Sequence, residues 1–366
     1  MWGQGKIVMA KLTRRLRGYL KLSLAATFAL AALCVAAGQN TASAQGGERL
    51  RVPTEGGFSG FITPLVGYAN VKSQFHTDGN NRRTSSLNSS GQTSSNAVVG
   101  ALFELRYTFL EARTEVYGGI PAENIREGGF TQAEIGVRHW LGDGTRLSLG
   151  VLPEPIVPNK TWQDPFIVDG RRSRTNLDSI GLRARVDNIL ETRLGLRYEF
   201  VRQEVDDERS GSFLASQPGN TLTQDDLDSL ERDADFHRFT ATYGFPITEQ
   251  FFLRPGLRYT YGDADGDSNS FDAIRPELGM FYSGERFDTS LNLLYERSWF
   301  DEENPIYDDK RDANDFGATF LFGYKKPFGW ESFRIDTIAS FRKSDSDIDF
   351  YDARGSFISV GGTYFW

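Results

Sequence analysis

Along most of the chain apolar and polar residues alternate one by one, the period of an extended strand whose two faces meet different surroundings. Phe103, Leu105, Tyr107 and Phe109 alternate with Glu104, Arg106 and Thr108. Ile180, Leu182, Ala184 and Val186 alternate with Gly181, Arg183 and Arg185, and Leu194, Leu196, Tyr198 and Phe200 with Gly195, Arg197 and Glu199. The same period runs through residues 133–138, 253–261, 274–282, 287–295, 316–324 and 333–341. A soluble β-sandwich would carry this alternation too, and two features separate the cases. Short connections (110–112, 142–144, 188–191, 246–250, 284–285, 327–329) take turns with long ones (75–96, 121–128, 153–175, 204–235, 262–270, 301–315, 344–350). The last strand places Ile358, Val360, Tyr364 and the terminal Trp366 on one face. The pattern predicts an all-β transmembrane antiparallel up-and-down barrel of about fourteen strands, with about twelve or sixteen as alternatives. Its first strand is expected near Phe58–Ser73, and Pro64, Pro255 and Pro276 inside strands predict local bulges or shifted strand boundaries.

The N-terminus changes the picture from membrane protein to exported membrane protein. Lys11, Arg14, Arg15, Arg17 and Lys21 precede a short apolar run from Leu22 to Ala37, and Ala42-Ser43-Ala44 supplies a small-x-small cleavage pattern. Residues 1–44 therefore read as a cleaved signal peptide, 45–54 as a short extension and 55–366 as the barrel, placed in the cell outer membrane. Cys34 lies within the leader, so the processed chain has no thiol or disulfide chemistry. Losing the leader's six basic residues takes the net charge from -8 to -14, which argues against nucleic acid as a partner. Aromatics at 13% with a negative mean hydropathy suit a chain with aromatic girdles and a wet interior.

Candidate chemistry lies on the polar strand faces. Arg106, Arg138, Arg183, Arg185, Arg197, Glu199, Arg254, Arg258, Arg275, Glu277, Glu296 and Arg334 are expected to line a pore, where charges of both signs select small hydrophilic solutes by size and charge. The slight arginine excess leans toward anions. The alternative is that these residues pair with one another and seal the interior. The long loops are acidic (206–208, 225–226, 301–303, 308–309, 345–349) and read as solvated segments beside lipopolysaccharide. Asp263–Asp267 resembles a calcium loop but has its glycine too early and Ile274 where a bidentate glutamate belongs, so no metal is expected. His237, near Asp233 and Asp235, is the single candidate for a rim hydrolase; no nucleophile motif accompanies it, and the chain reads as non-enzymatic and without cofactor. Tyr107, Phe109, Phe245, Phe251, Phe322, Tyr324 and Trp330 gather near the short turns as an interfacial girdle.

Ordered strings across the mature chain resemble the proteobacterial domain of unknown function 2860 family. They include Gly57–Phe61 with Gly67-Tyr68, Glu104–Phe109 with Ala112–Thr114, Gly136–Arg138, Trp162–Pro165, Asp207–Gly211, Arg258–Thr260, Asn304–Tyr307, Phe328–Trp330 and Ser346–Asp352. The resemblance implies an outer-membrane protein and assigns no functional residue. Glycine and proline strings such as Trp162–Pro165 and Asn304–Tyr307 read as turn structure. The expected function is a porin-like channel for passive diffusion of small hydrophilic solutes, with a sealed structural or surface-interaction barrel as the other reading. Expected partners are outer-membrane lipid, lipopolysaccharide and the barrel-assembly machinery, reading the strand that ends at Trp366.

Overall fold

A computed structural model describes residues 52–126, 132–155 and 159–366. The predicted leader and most of the predicted N-terminal extension lie outside the described residues. In chain order the strands are β1 (Gly57–Lys72), β2 (Thr93–Phe109), β3 (Thr114–Gly119), β4 (Glu134–Trp140), β5 (Arg146–Leu152), β6 (Asn159–Trp162), β7 (Arg174–Asp187) and β8 (Leu194–Val205). They continue as β9 (Ala234–Tyr243), β10 (Phe245–Pro246), β11 (Phe251–Ala264), β12 (Phe271–Ser283), β13 (Phe287–Phe300), β14 (Ala313–Lys325), β15 (Phe333–Ser346) and β16 (Ala353–Phe365). β6 only flanks β7 and β10 only flanks β11, so fourteen strands form the wall.

The wall is a closed antiparallel barrel. β1 pairs with β2 on one side and with β16 on the other, from Phe61 opposite Phe365 to Lys72 opposite Arg354. Beyond the strand, the Gly60 amide donates to the Trp366 carbonyl at 3.1 Å, so the chain's last residue completes the seam. Closure leaves no ladder edge in lipid along that seam. Outward side chains form an apolar belt: Val66, Leu149, Leu182, Phe239, Leu257 and Ile358 are each more than half exposed. In water such a surface would be far larger than a monomer tolerates, whereas hydrocarbon takes it up. Phe109, Phe245, Phe287 and Trp330 ring the short-turn end of the belt; Tyr68, Tyr259, Tyr295 and Trp299 ring the opposite end. The two rings sit where membrane interfaces favour amphipathic aromatics.

The prolines interrupt the ladder without the expected bulges. β1 and β16 pair Ile62 with Tyr364 and resume at Leu65 with Gly361, so two residues are skipped on both strands and the register is kept. The same holds at Pro276, between Ile274–Arg297 and Glu277–Leu294. Pro255 falls where β9 gives way to β10 along β11. Each proline turns its missing N–H to one neighbour only, and its other ladder continues.

β3, β4 and β5 are six or seven residues long, against seventeen for β2. The wall is low there because the chain leaving β3 turns into the barrel instead of continuing upward. Gly119 (φ +133°) makes the turn, and an added Cβ would lie 2.3 Å from the Phe103 carbonyl oxygen. Past it, the Ile120 amide donates to that carbonyl at 2.7 Å, and a short helix Ala122–Arg126 follows.

The acidic loops do not stand apart in solvent, as the sequence suggests. Phe166, Leu230, Ile348 and Phe350, drawn from three loops, form a buried core with Phe75, Leu87, Leu214, Ile306, Tyr307 and Tyr351 packed round it. The Tyr307 hydroxyl donates to the Leu87 carbonyl at 3.0 Å, and Asn304 donates to the Tyr351 hydroxyl at 2.8 Å. Trp162 and Asn304 are almost wholly buried. The glycine and proline strings are therefore packing elements of a folded cap and not only turns. Aspartates such as Asp347 and Asp349 flank the inward Ile348 and Phe350, which is why the segment reads as acidic while contributing to a core.

Candidate functional site in the barrel interior

The interior is divided by the short helix. Ile125 seats in an apolar socket of Phe61, Leu65, Leu102, Ile338 and Phe365, contributed by β1, β2, β15 and β16. The helix is held from the other side by charge. Glu123 accepts from Arg146 at 2.7 and 3.2 Å and from Arg185 at 2.9 Å. Asn124 accepts from Arg185 at 2.6 Å and donates to Glu134 at 3.4 Å.

That charged wall is dense. Arg138 donates to Glu104 at 3.0 Å and to Glu115 at 2.6 Å, with its guanidinium carbon 3.7 Å from the centre of the Tyr117 ring. Tyr117 donates its hydroxyl proton to Glu134 at 2.5 Å. Arg183 bridges Glu134 and Glu199, and Glu199 also accepts from Arg238 at 2.6 Å. Arg146 closes the chain onto Asp187 at 2.7 Å. The side chains of Arg138, Glu104, Arg183 and Glu134 are under a tenth exposed, so these ions rely on each other for solvation. Gly136 and Gly150 face each other here, and an added Cβ on either would strike Tyr117 or Glu134.

Ladder register explains how distant arginines meet. One row of directly opposed residues runs Thr108, Glu115, Arg138, Ser148, Arg185, Arg197, Thr240, Arg258, Arg275 across nine neighbouring strands. The adjacent row runs Arg106, Tyr117, Gly136, Gly150, Arg183, Glu199, Arg238, Thr260. All twelve sequence-nominated residues face the interior, in two settings. Arg138, Arg183, Arg185 and Glu199 belong to the buried clamp. Arg106 faces the same side, has no ion pair among the described residues, and its Nε is enclosed without a hydrogen-bond partner. Arg197, Arg254, Arg258, Arg275, Glu277, Glu296 and Arg334 lie on the other side, where packing is looser.

Pairing there is uneven. Arg258 donates to Thr240 at 3.2 Å and stands 3.9 Å from Glu277. Arg275 meets Glu296 at 2.7 Å, and Arg334 meets Asp336 at 2.7 Å. Arg254 stacks 5.1 Å from the Phe281 ring centre. A cavity of about 670 Å³ opens from the short turns at Thr248 and Gln250, passes Arg197, Arg254 and Arg334, and ends under Glu123 of the helix.

Sequence reading missed Glu123, Asn124 and Ile125, which sit in a stretch expected to be loop. The signal is Pro121 followed by Ala-Glu-Asn-Ile, a helix start placed inside a short connection. It also misplaced His237. The imidazole lies on the outer face among Tyr198, Phe200 and Tyr261, with Nδ1 2.8 Å from the Tyr198 hydroxyl. Asp233 instead accepts the Val205 amide, and Asp235 pairs with Arg202. Among the described residues, His237 pairs with no carboxylate.

Fold and interior together define a transmembrane β-barrel whose lumen is crossed by an ion-clamped helix and whose long-loop mouth carries a folded cap. The chain belongs to the family described as Protein of unknown function (DUF2860), whose pattern matches residues 57–365. No curated protein matches it in sequence. Among solved structures it is similar to the outer membrane channel DcaP of Acinetobacter baumannii (TM-score 0.42, 10% identity, 85% of this chain and 98% of that one). It is also similar to the toluene transporter TodX of Pseudomonas putida (0.40, 12%, 89% and 94%) and a FadL homologue of Pseudomonas aeruginosa (0.41, 10%, 84% and 90%). Likenesses this distant decide nothing about what this chain carries.

Proposed function

We propose that the protein is an outer-membrane channel for small hydrophilic solutes, with anions favoured. The observation that carries this reading is an open vestibule bordered by Arg197, Arg254 and Arg334, with Arg258 and Arg275 continuing the strand row of Arg197 on the less tightly packed side of the lumen. A run of guanidinium groups in a confined, low-dielectric passage holds a positive potential that partial pairing with Glu277 and Glu296 reduces without cancelling. Arg197, Arg254 and Arg334 border the vestibule, Arg258, Arg275, Glu277 and Glu296 are assigned to the path beyond it, and Arg106, Arg138, Arg183, Arg185 and Glu199 build its fixed wall. The apolar belt and the two aromatic rings support placement in the outer membrane. Pairing of Trp366 with Gly60 supports a role for the last strand in assembly and closure.

Planar-bilayer recording of the refolded barrel under a salt gradient tests the reading. The wild type is expected to show discrete conductance with anion-leaning reversal potentials, and Arg258→Glu with Arg275→Glu is expected to move them toward cations. Reversal potentials that stay put would remove these residues from the path. A second reading, a sealed structural barrel, is favoured by the helix clamp and the capped mouth. Absence of any discrete conductance across salts and voltages would select it.

A further inference from the structure

Many arginines of this acidic chain meet carboxylates, as Arg138 meets Glu104, Arg202 meets Asp235 and Arg232 meets Glu208. Three on the cap that meet none lie side by side. Arg82, Arg83 and Arg171 border one open depression of about 380 Å³ with Asn80 and Gln92, and none has an ion pair among the described residues. The nearby Asp78 is committed elsewhere: it accepts the Asn80 and Asn81 amides at 3.1 and 3.3 Å and faces His76 at 3.6 Å.

The frame holding the three charges is rigid. Behind them Arg172, 2% exposed, donates to the Asn81 carbonyl at 3.0 Å and to the Gln74 and Pro165 carbonyls at 3.2 Å. Asn81, itself 1% exposed, donates to the Ser73 and His76 carbonyls and accepts the Gln92 amide at 2.9 Å. The Arg172 amide donates to the Arg82 carbonyl at 2.9 Å, and Thr84 bridges to Val168. The backbone thus brings together two loops whose arginines, Arg82 half-buried and Arg83 and Arg171 exposed, repel one another unless an anion lies between them. Guanidinium forks match the oxygens of phosphate, and Asn80 and Gln92 add neutral donors.

Position selects the source. On β1 the half-exposed Tyr68 is the last outward apolar residue, and Asn70, hydrogen-bonded to Ser95 at 2.8 Å, marks the change to polar surface. The loop bearing Arg82 and Arg83 starts three residues further on, where β1 leaves the apolar belt. We infer that Arg82, Arg83 and Arg171 form a binding site for a phosphate group on the saccharide of outer-leaflet lipopolysaccharide. This site is independent of whether the lumen conducts.

Calorimetric titration of the whole barrel in micelles with deep-rough lipopolysaccharide tests it. Arg82→Gln, Arg83→Gln and Arg171→Gln together are expected to lower affinity about tenfold or more, as loss of charge-assisted hydrogen bonds does. Chemically dephosphorylated lipopolysaccharide should bind the wild type as weakly as the intact lipid binds the variant. A charge-matched control at the short turns, Arg113→Gln, Arg286→Gln and Lys326→Gln, should leave affinity unchanged. Equal affinity of wild type and variant, or equal losses in variant and control, overturns the site. Arginine-dependent binding of inorganic pyrophosphate without any dependence for lipopolysaccharide overturns the lipid assignment. Should the triple variant fail to fold, Arg83→Gln alone, at an exposed side chain, is expected to lose about threefold, and no loss rejects the proposal.

Discussion

Arg138 shows what a single side chain does in this interior. It satisfies two buried glutamates and lies over the Tyr117 ring, so removing its charge leaves Glu104 and Glu115 without the cation that offsets their desolvation. Arg138→Met should cost about 3 kcal/mol or more of stability. The urea midpoint of the refolded barrel in micelles measures it, and a midpoint unchanged from wild type would mean that the clamp is not what holds this side together. That Arg138 faces inward was legible from its alternation with Val137 and His139. Its partners were not, because Glu104 and Glu115 reach it only through the registers of β2 with β3 and β3 with β4.

At the scale of elements the helix Ala122–Arg126 is the piece with the least local reason to exist. Five residues are too few to be stable alone, so its stability is tertiary. Burial of Ile125 supplies about 2 kcal/mol and Glu123 supplies ion pairs to both Arg146 and Arg185. Ile125→Asp places a carboxylate in the apolar socket and should expel the helix. Single-channel conductance is then expected to rise about twofold or more as the constriction is relieved. Conductance identical to wild type would put the ion path clear of the helix. The strands behave differently. Their period was readable because each has one face in lipid, and the observed short turns 110–113, 188–193 and 284–286 fall within a few residues of the expected ones. The loops gave less away, since acidic spacers conceal the few apolar residues that meet in the cap.

For the whole molecule, the cap's cohesion should depend on pH. Burial pushes the Asp164 carboxyl up despite three backbone amides donating to it, from Phe166, Gly211 and Phe213. Burial, with Glu204, Asp265 and Glu208 nearby, raises Asp233 as well. A carboxyl raised on folding binds its proton more tightly in the folded state. Its contribution is therefore complete below the ordinary aspartate value of 3.8 and is lost as pH climbs through the raised value. Arg172, pushed down to about 10 by burial, keeps its charge throughout that window. Amide exchange of residues 206–233, corrected for intrinsic rates, should show stronger protection near pH 4 than near pH 7. Stronger protection at neutral pH would contradict the assignment. What the sequence alone determined is everything repeated in every strand: the barrel, which residues face inward, and the seam ending at Trp366. Strand period and turn length are local, and lipid enforces them at each segment separately. Only tertiary structure decided which inward arginines are locked and which border open space, that a connection folds into the lumen, and that the loops share a core. Those outcomes depend on register accumulated around a closed sheet and on contacts between residues far apart in the chain, and neither leaves a periodic mark.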